Sequence, residues 1–118
     1  MPRDHRLYLD DILEAIARIR LYVEGMDYEL FVKDIKTRDA VVRNLEVIGE
    51  AARNLPDHLR KEADEIEWNK IIGLRNILAH AYFNLNSQII WDVVQNKLLA
   101  LETACRRLLD TPWDDLDQ

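Results

Sequence analysis

One cysteine, three glycines and three prolines in 118 residues leave few ways to build a stapled or turn-rich fold. With Cys105 alone no internal disulfide can form, so the chain is not a disulfide scaffold. Cys105 falls in an apolar helical pattern, which points to ordinary core packing. The scarcity of Gly and Pro, with no β-branched alternation, excludes a hairpin-rich sheet protein and predicts helices separated by short breaks. Long apolar runs are also missing. Uncharged stretches such as Ile71 to Leu74 and Leu98 to Leu101 fall far short of the roughly 20 residues that cross a bilayer, so no membrane span is expected. The opening Met-Pro-Arg-Asp-His-Arg has no apolar h-region, so no signal peptide is read there and the expected location is cytoplasmic. Positive charge is in deficit. A net charge of −6 excludes a protein that coats nucleic acid with a broad basic face, and leaves only a local cleft that focuses a few arginines. No Glu-x-x-His pair occurs, which removes the di-iron bundle signature, and neither a metal nor a cofactor is expected.

What is present is a mix of 48% hydrophobic and 32% charged residues, suited to one globular domain, expected over residues 1–110. Leu9, Ile12, Ile16, Ile19 and Val23 recur at steps of three and four, predicting a first helix from about Asp4 to Gly25. A short helical turn follows at Tyr28 to Lys33. Thr37 is the predicted cap of a second long helix carrying Val41, Leu45, Ile48, Ala52 and Leu55, which Pro56 ends. Asp57 to Glu67 reads as a charged surface connection with a helical turn. A third helix runs from Trp68 to about His80, and its few polar residues mark it as the most buried. After a break at Asn84 to Ser87, the series Ile90, Val94, Leu98, Leu101, Cys105, Leu108 predicts one continuous last helix. Residues 111–118 read as an acidic, mobile tail. The predicted architecture is all-α, an antiparallel four-helix bundle with a short accessory helix.

The chemistry gathers at the end of the third helix, in Arg75-Asn76-Ile77-Leu78-Ala79-His80-Ala81-Tyr82. Polar groups in an apolar neighbourhood cost free energy unless paired or used. On an ideal helix Asn76 and His80 share a face, and Arg75 lies about 140° round from His80, within reach through its long side chain. This set suits phosphodiester chemistry on RNA. A guanidinium holds two phosphate oxygens in its planar fork and offsets developing charge. An imidazole can take a proton from a 2′-hydroxyl or give one to the leaving oxygen. Spacing alone leaves a second reading open, in which Arg75 makes a salt bridge, His80 bonds at a helix end and Tyr82 packs.

The same run resembles the Arg-x4-His-x-Tyr signature of the HepT family of HEPN-domain toxins. Ile48-Gly49-Glu50-Ala51-Ala52 and Trp68-Asn69-Lys70-Ile71-Ile72-Gly73-Leu74 are also similar to that family, and the likeness extends over roughly Arg6 to Leu109. The resemblance implies a HEPN-like homodimer in which two motifs face each other in one metal-independent ribonuclease cleft. It implies catalytic roles for Arg75 and His80, a supporting role for Asn76, and Tyr82 as the residue to which a minimal nucleotidyltransferase antitoxin adds AMP. The product would be the toxin half of a type VII-like toxin–antitoxin pair. Two symmetry-related histidines would divide the base and acid roles that one cannot easily fill in a single step.

Other residues have plainer readings. His5 and His58 stand in charged stretches and are expected to be solvated. Arg38, Arg43 and Arg53 either extend a phosphate track or form a solvated face paired with Asp39, Glu46 and Glu50. Trp68, Trp91 and Trp113 suit core, dimer interface or antitoxin contact equally. The alternative function is a non-catalytic helical dimer that binds a nucleotidyltransferase or a nucleotide at the same cleft.

Overall fold

The structure is a computed structural model and describes residues 4–80 and 87–111, excepting the side chains of residues 75 and 77–80. Among the described residues all regular structure is helical: α1 (His5–Val23), α2 (Tyr28–Lys33), α3 (Ile35–Arg53), α4 (Asp57–Lys61), α5 (Trp68–His80), α6 (Ser87–Asn96) and α7 (Leu98–Asp110). The expected all-α class holds. None of these helices is long and apolar enough to cross a membrane.

Three aspartates set the early helix starts. Asp4 accepts from the Arg6 amide at 2.9 Å, Asp27 from the Leu30 amide at 2.9 Å and Asp34 from the Thr37 amide at 3.0 Å. Each satisfies an amide that the first helical turn leaves without an intrahelical acceptor. The third corrects the expectation that Thr37 caps the second long helix. Asp34 is the cap, and the Thr37 hydroxyl donates back to its carboxylate at 2.8 Å. A carboxylate three residues upstream outcompetes the hydroxyl as acceptor, so the helix begins at Ile35. At the end of α1, Gly25 takes φ +76°, a left-handed conformation that suits glycine, while the Met26 amide closes onto the Val23 carbonyl at 2.9 Å.

The core is the stripe foreseen on α1 (Leu9, Ile12, Ile16, Ile19) meeting Val41, Leu45, Ile48 and Ala52 of α3 and Leu98, Leu101, Cys105 and Leu108 of α7, all buried. Helix α3 lies against both α1 and α5, and α7 packs on α1. The Arg20–Glu102 ion pair at 2.8 Å ties α1 to α7. Asn44, the one buried polar side chain among those described, donates to the Ala40 carbonyl at 2.9 Å.

One further expectation needs correction. The last helix is not continuous, because Lys97 separates α6 from α7 with φ −113°, ψ −25°. Its amide still reaches the Val93 carbonyl at 3.0 Å, so the break is a kink. Two successive steps of four, Ile90 to Val94 to Leu98, would carry the stripe about 80° round an ideal helix. The kink lets all three remain buried. Whether α5 is the most buried helix turns on side chains outside the described ones. Trp68 is buried, but Ile71, Ile72 and Leu74 are half-buried and Asn76 is exposed. Sequence patterning reports apolarity, and here part of that apolar surface faces outward. Of the tail expected to be mobile, residues 111–118, all but Thr111 lie outside the described residues.

Candidate active site

Helix α5 is fixed at its first residue. Trp68 is 7% exposed, and its indole Nε1–H donates to the Ala63 carbonyl at 2.9 Å and towards the Arg60 carbonyl at 3.1 Å. Leu59, Ala63 and Ile66 beneath it are buried, so the charged connection 57–67 is pinned through three apolar side chains. Arg107 of α7 clamps the same connection from outside, through Glu65 at 2.6 and 2.9 Å and the Glu62 carbonyl at 3.2 Å. These donors hold the Glu65 carboxyl below the usual glutamate range.

From that anchor α5 stays helical through His80, as the sequence predicts. The backbone therefore sets Asn76 and His80 one turn apart on one face, with Arg75 on the adjacent flank. Asn76 is exposed. Tyr82, the candidate for AMP addition, lies outside the described residues, as does Trp113. Trp91 is placed against α2, 5.1 Å from the Phe31 ring and 6.4 Å from Tyr28 between centroids, so it joins α6 to the accessory helix.

The α5 and α3 helices run in opposite senses. Trp68 lies beside the connection that follows the C-terminal end of α3, while Arg38 near the N-terminal end of α3 donates to Ser87 Oγ at 3.4 Å. Ser87 stands seven residues beyond His80. The end of α5 that carries the motif is thus the end of the molecule where Arg38 sits. The other two arginines of α3 do not join it. Arg43 approaches Glu46 at 3.9 Å and lines a shallow depression with Tyr8, Asp11 and Glu50. Arg53 is exposed at the far end of the helix. Arg43 and Arg53 thus follow the reading of a solvated face, and Arg38 alone of the three stays a candidate for a phosphate track.

On its other side α5 borders an apolar groove of about 570 Å³ lined by Ile71, Gly73 and Leu74 with Val93, Lys97 and Ala100. A Cβ added at Gly73 would meet nothing within 4 Å. His5 and His58 are not brought to the motif but stand edge-on to each other, 6.2 Å apart. Among the described residues no group of three His, Cys, Asp or Glu side chains is arranged to hold a metal ion. Cys105 is buried in apolar surroundings, which push its thiol up to about 12 and leave it protonated and inert.

With this geometry in place, comparison with known proteins is informative. Residues 12–108 match the family model described as ribonuclease HepT-like. "Putative RNase MJ0127" of Methanocaldococcus jannaschii is 44% identical over 99 residues, covering 83% of this chain and 82% of that protein. "Probable ribonuclease HepT" of Thermococcus cleftensis is 37% identical over 108 residues, covering 92% and 98%. No solved structure matches the chain at a significant level.

Proposed function

The chain belongs to the HepT-like ribonuclease family, and on that premise we propose that it is a metal-independent endoribonuclease toxin, paired with a minimal nucleotidyltransferase antitoxin. The observation that carries this reading is the Arg75-x4-His80-x-Tyr82 run in the sequence, of which α5 carries Arg75 to His80, in a register that groups Arg75, Asn76 and His80 within a turn and a half.

In the proposed reaction two copies of the chain face their motifs across a two-fold axis. His80 of one copy takes the proton of the ribose 2′-hydroxyl as its oxygen attacks the adjacent phosphorus. The imidazolium of the other copy gives a proton to the departing 5′-oxygen. A cyclic phosphate end and a 5′-hydroxyl end result. The two Arg75 guanidinium groups hold the phosphate oxygens, stabilising the charge that builds up during attack. Asn76 supports the site as a neutral hydrogen-bonding group. The half-buried Ile71, Ile72 and Leu74 and the groove beside them favour such a pairing, since they offer apolar surface on the motif-bearing helix itself. AMP added to Tyr82 would place negative phosphate near Arg75, filling the cleft and repelling an RNA backbone.

The test uses purified protein and single-stranded or transfer RNA in excess chelator. Cleavage is expected, and both His80→Ala and Arg75→Ala should abolish it. If both variants cleave like the wild type, the site assignment is wrong. Expressing the protein without its antitoxin should arrest growth, with relief by His80→Ala. Harmless expression would favour instead a non-catalytic dimer that docks a nucleotidyltransferase or nucleotide.

A further inference from the structure

Arg38 occupies a position where a helix of this kind normally places an apolar residue. It precedes Val41, Val42 and Leu45 by three, four and seven residues, so it continues the stripe that those buried side chains form on α3. The residue is half-buried, and its Nε is a buried nitrogen with no hydrogen-bond partner among the described residues. The one hydrogen bond given for it is long, 3.4 Å from Nη1 to Ser87 Oγ.

Among the described residues a counter-charge is also missing. Arg6, Arg18, Arg20, Arg60 and Arg107 stand within 3.0 Å of a carboxylate, Arg43 and Arg106 within 3.9 Å. No such pair is found for Arg38 among the described residues, although the chain as a whole is rich in acid. Asp34, one turn upstream, is the natural partner. Its carboxylate is instead occupied by the amide and hydroxyl of Thr37. The segment that joins α5 to α6, Ala81-Tyr82-Phe83-Asn84-Leu85-Asn86, contains no acid. Arg53, also without an ion pair among the described residues, differs in being exposed, where water solvates its charge. Among the described residues only Arg38 is a cation partly withdrawn from water with no carboxylate beside it, a situation that raises its attraction for an anion.

We propose that Arg38 is a phosphate-binding residue that takes a phosphodiester flanking the scissile linkage of a single-stranded RNA. The assignment rests on the ribonuclease reading above. It adds to that reading a contact supplied by α3 and α6, outside the Arg75–His80 run, at the end of the molecule where that run lies. A flanking phosphate is held equally in the ground state and the transition state, so Arg38 contributes to substrate affinity and not to the chemical step.

The experiment compares wild type, Arg38→Gln and Arg38→Lys on a single-stranded oligoribonucleotide and on its 2′-O-methyl counterpart, which cannot be cleaved by 2′-oxygen attack. Arg38→Gln should raise KM about tenfold, the loss of one charge-assisted contact, with kcat changed less than about twofold. It should also weaken binding of the 2′-O-methyl strand and lower the slope of log affinity against log salt by about 0.7, one phosphate contact on a single strand. Arg38→Lys, which keeps the charge, should retain the slope. Unchanged KM, affinity and salt slope in Arg38→Gln would overturn the proposal while leaving the nuclease intact. A wild type that binds the methylated strand through Arg38 but cleaves nothing would sink the nuclease and keep the contact. Equal loss in both variants, with a lowered thermal midpoint, would assign Arg38 a structural role and overturn it as well.

Discussion

Replacing Trp68 with Phe isolates the anchor that holds the motif-bearing helix. The indole Nε1 donates to two carbonyls, at 2.9 Å to Ala63 and 3.1 Å to Arg60. Neither carbonyl is left bare by the change, because the Ile66 amide also reaches Ala63 at 3.2 Å and the Ala63 amide reaches Arg60 at 3.1 Å. The cost is therefore the net worth of a hydrogen bond, about 1 kcal/mol, and not the larger penalty of an unsatisfied buried group. Exchanging the bicyclic ring for a phenyl in a site 7% exposed removes packed apolar surface worth about 1 kcal/mol more. The sum, about 2 kcal/mol, corresponds to a fall of about 8 °C in the thermal midpoint for a domain of this size. Circular dichroism at 222 nm against temperature reads it directly. A fall under about 3 °C would refute the idea that this indole carries the α4–α5 junction, and Trp68→Tyr should not restore what Phe loses, since its hydroxyl points from the wrong corner of the ring.

Two other outcomes follow from the charges and the thiol. Cys105, raised to about 12 by burial, should resist alkylation at pH 8 in the native protein and react at once in denaturant; mass spectrometry of labelled protein checks this, and rapid native labelling would contradict the core assignment. Glu102 is held below its ordinary value of 4.5, first by the hydrogen bond from Arg20 and then by the charges of Arg20 and Arg106. Because the folded value is the lower one, the ion pair stabilises fully above 4.5 and its contribution fades as pH falls below that point. The stability difference between wild type and Glu102→Gln, measured by urea unfolding, should be constant from pH 6 to 7.5 and shrink towards pH 3.5; a difference that grows on acidification would reverse the sign.

The chain alone determined a good deal. Steps of three and four on α1, α3 and α7 identified the buried faces, because a helix has a fixed period and a core must collect apolar side chains on one side. The low count of glycine and proline set the all-α class, and Arg75, Asn76 and His80 fell on the helix predicted for them. The folded structure decided what the period of a helix does not report. Asp34 displaced Thr37 as cap because the two acceptors compete and the carboxylate is the stronger. The kink at Lys97 came from three apolar residues that must all reach a core built by other helices. Trp68 became an anchor once Arg60 and Ala63 presented carbonyls to it, and Ile71, Ile72 and Leu74 of α5 are left half-buried. Arg38 was indistinguishable from Arg43 and Arg53 as a letter on a helix. Only the packing of α3 against its neighbours, which turns one arginine inward beside Ser87 with no carboxylate beside it among the described residues, separates it from the other two.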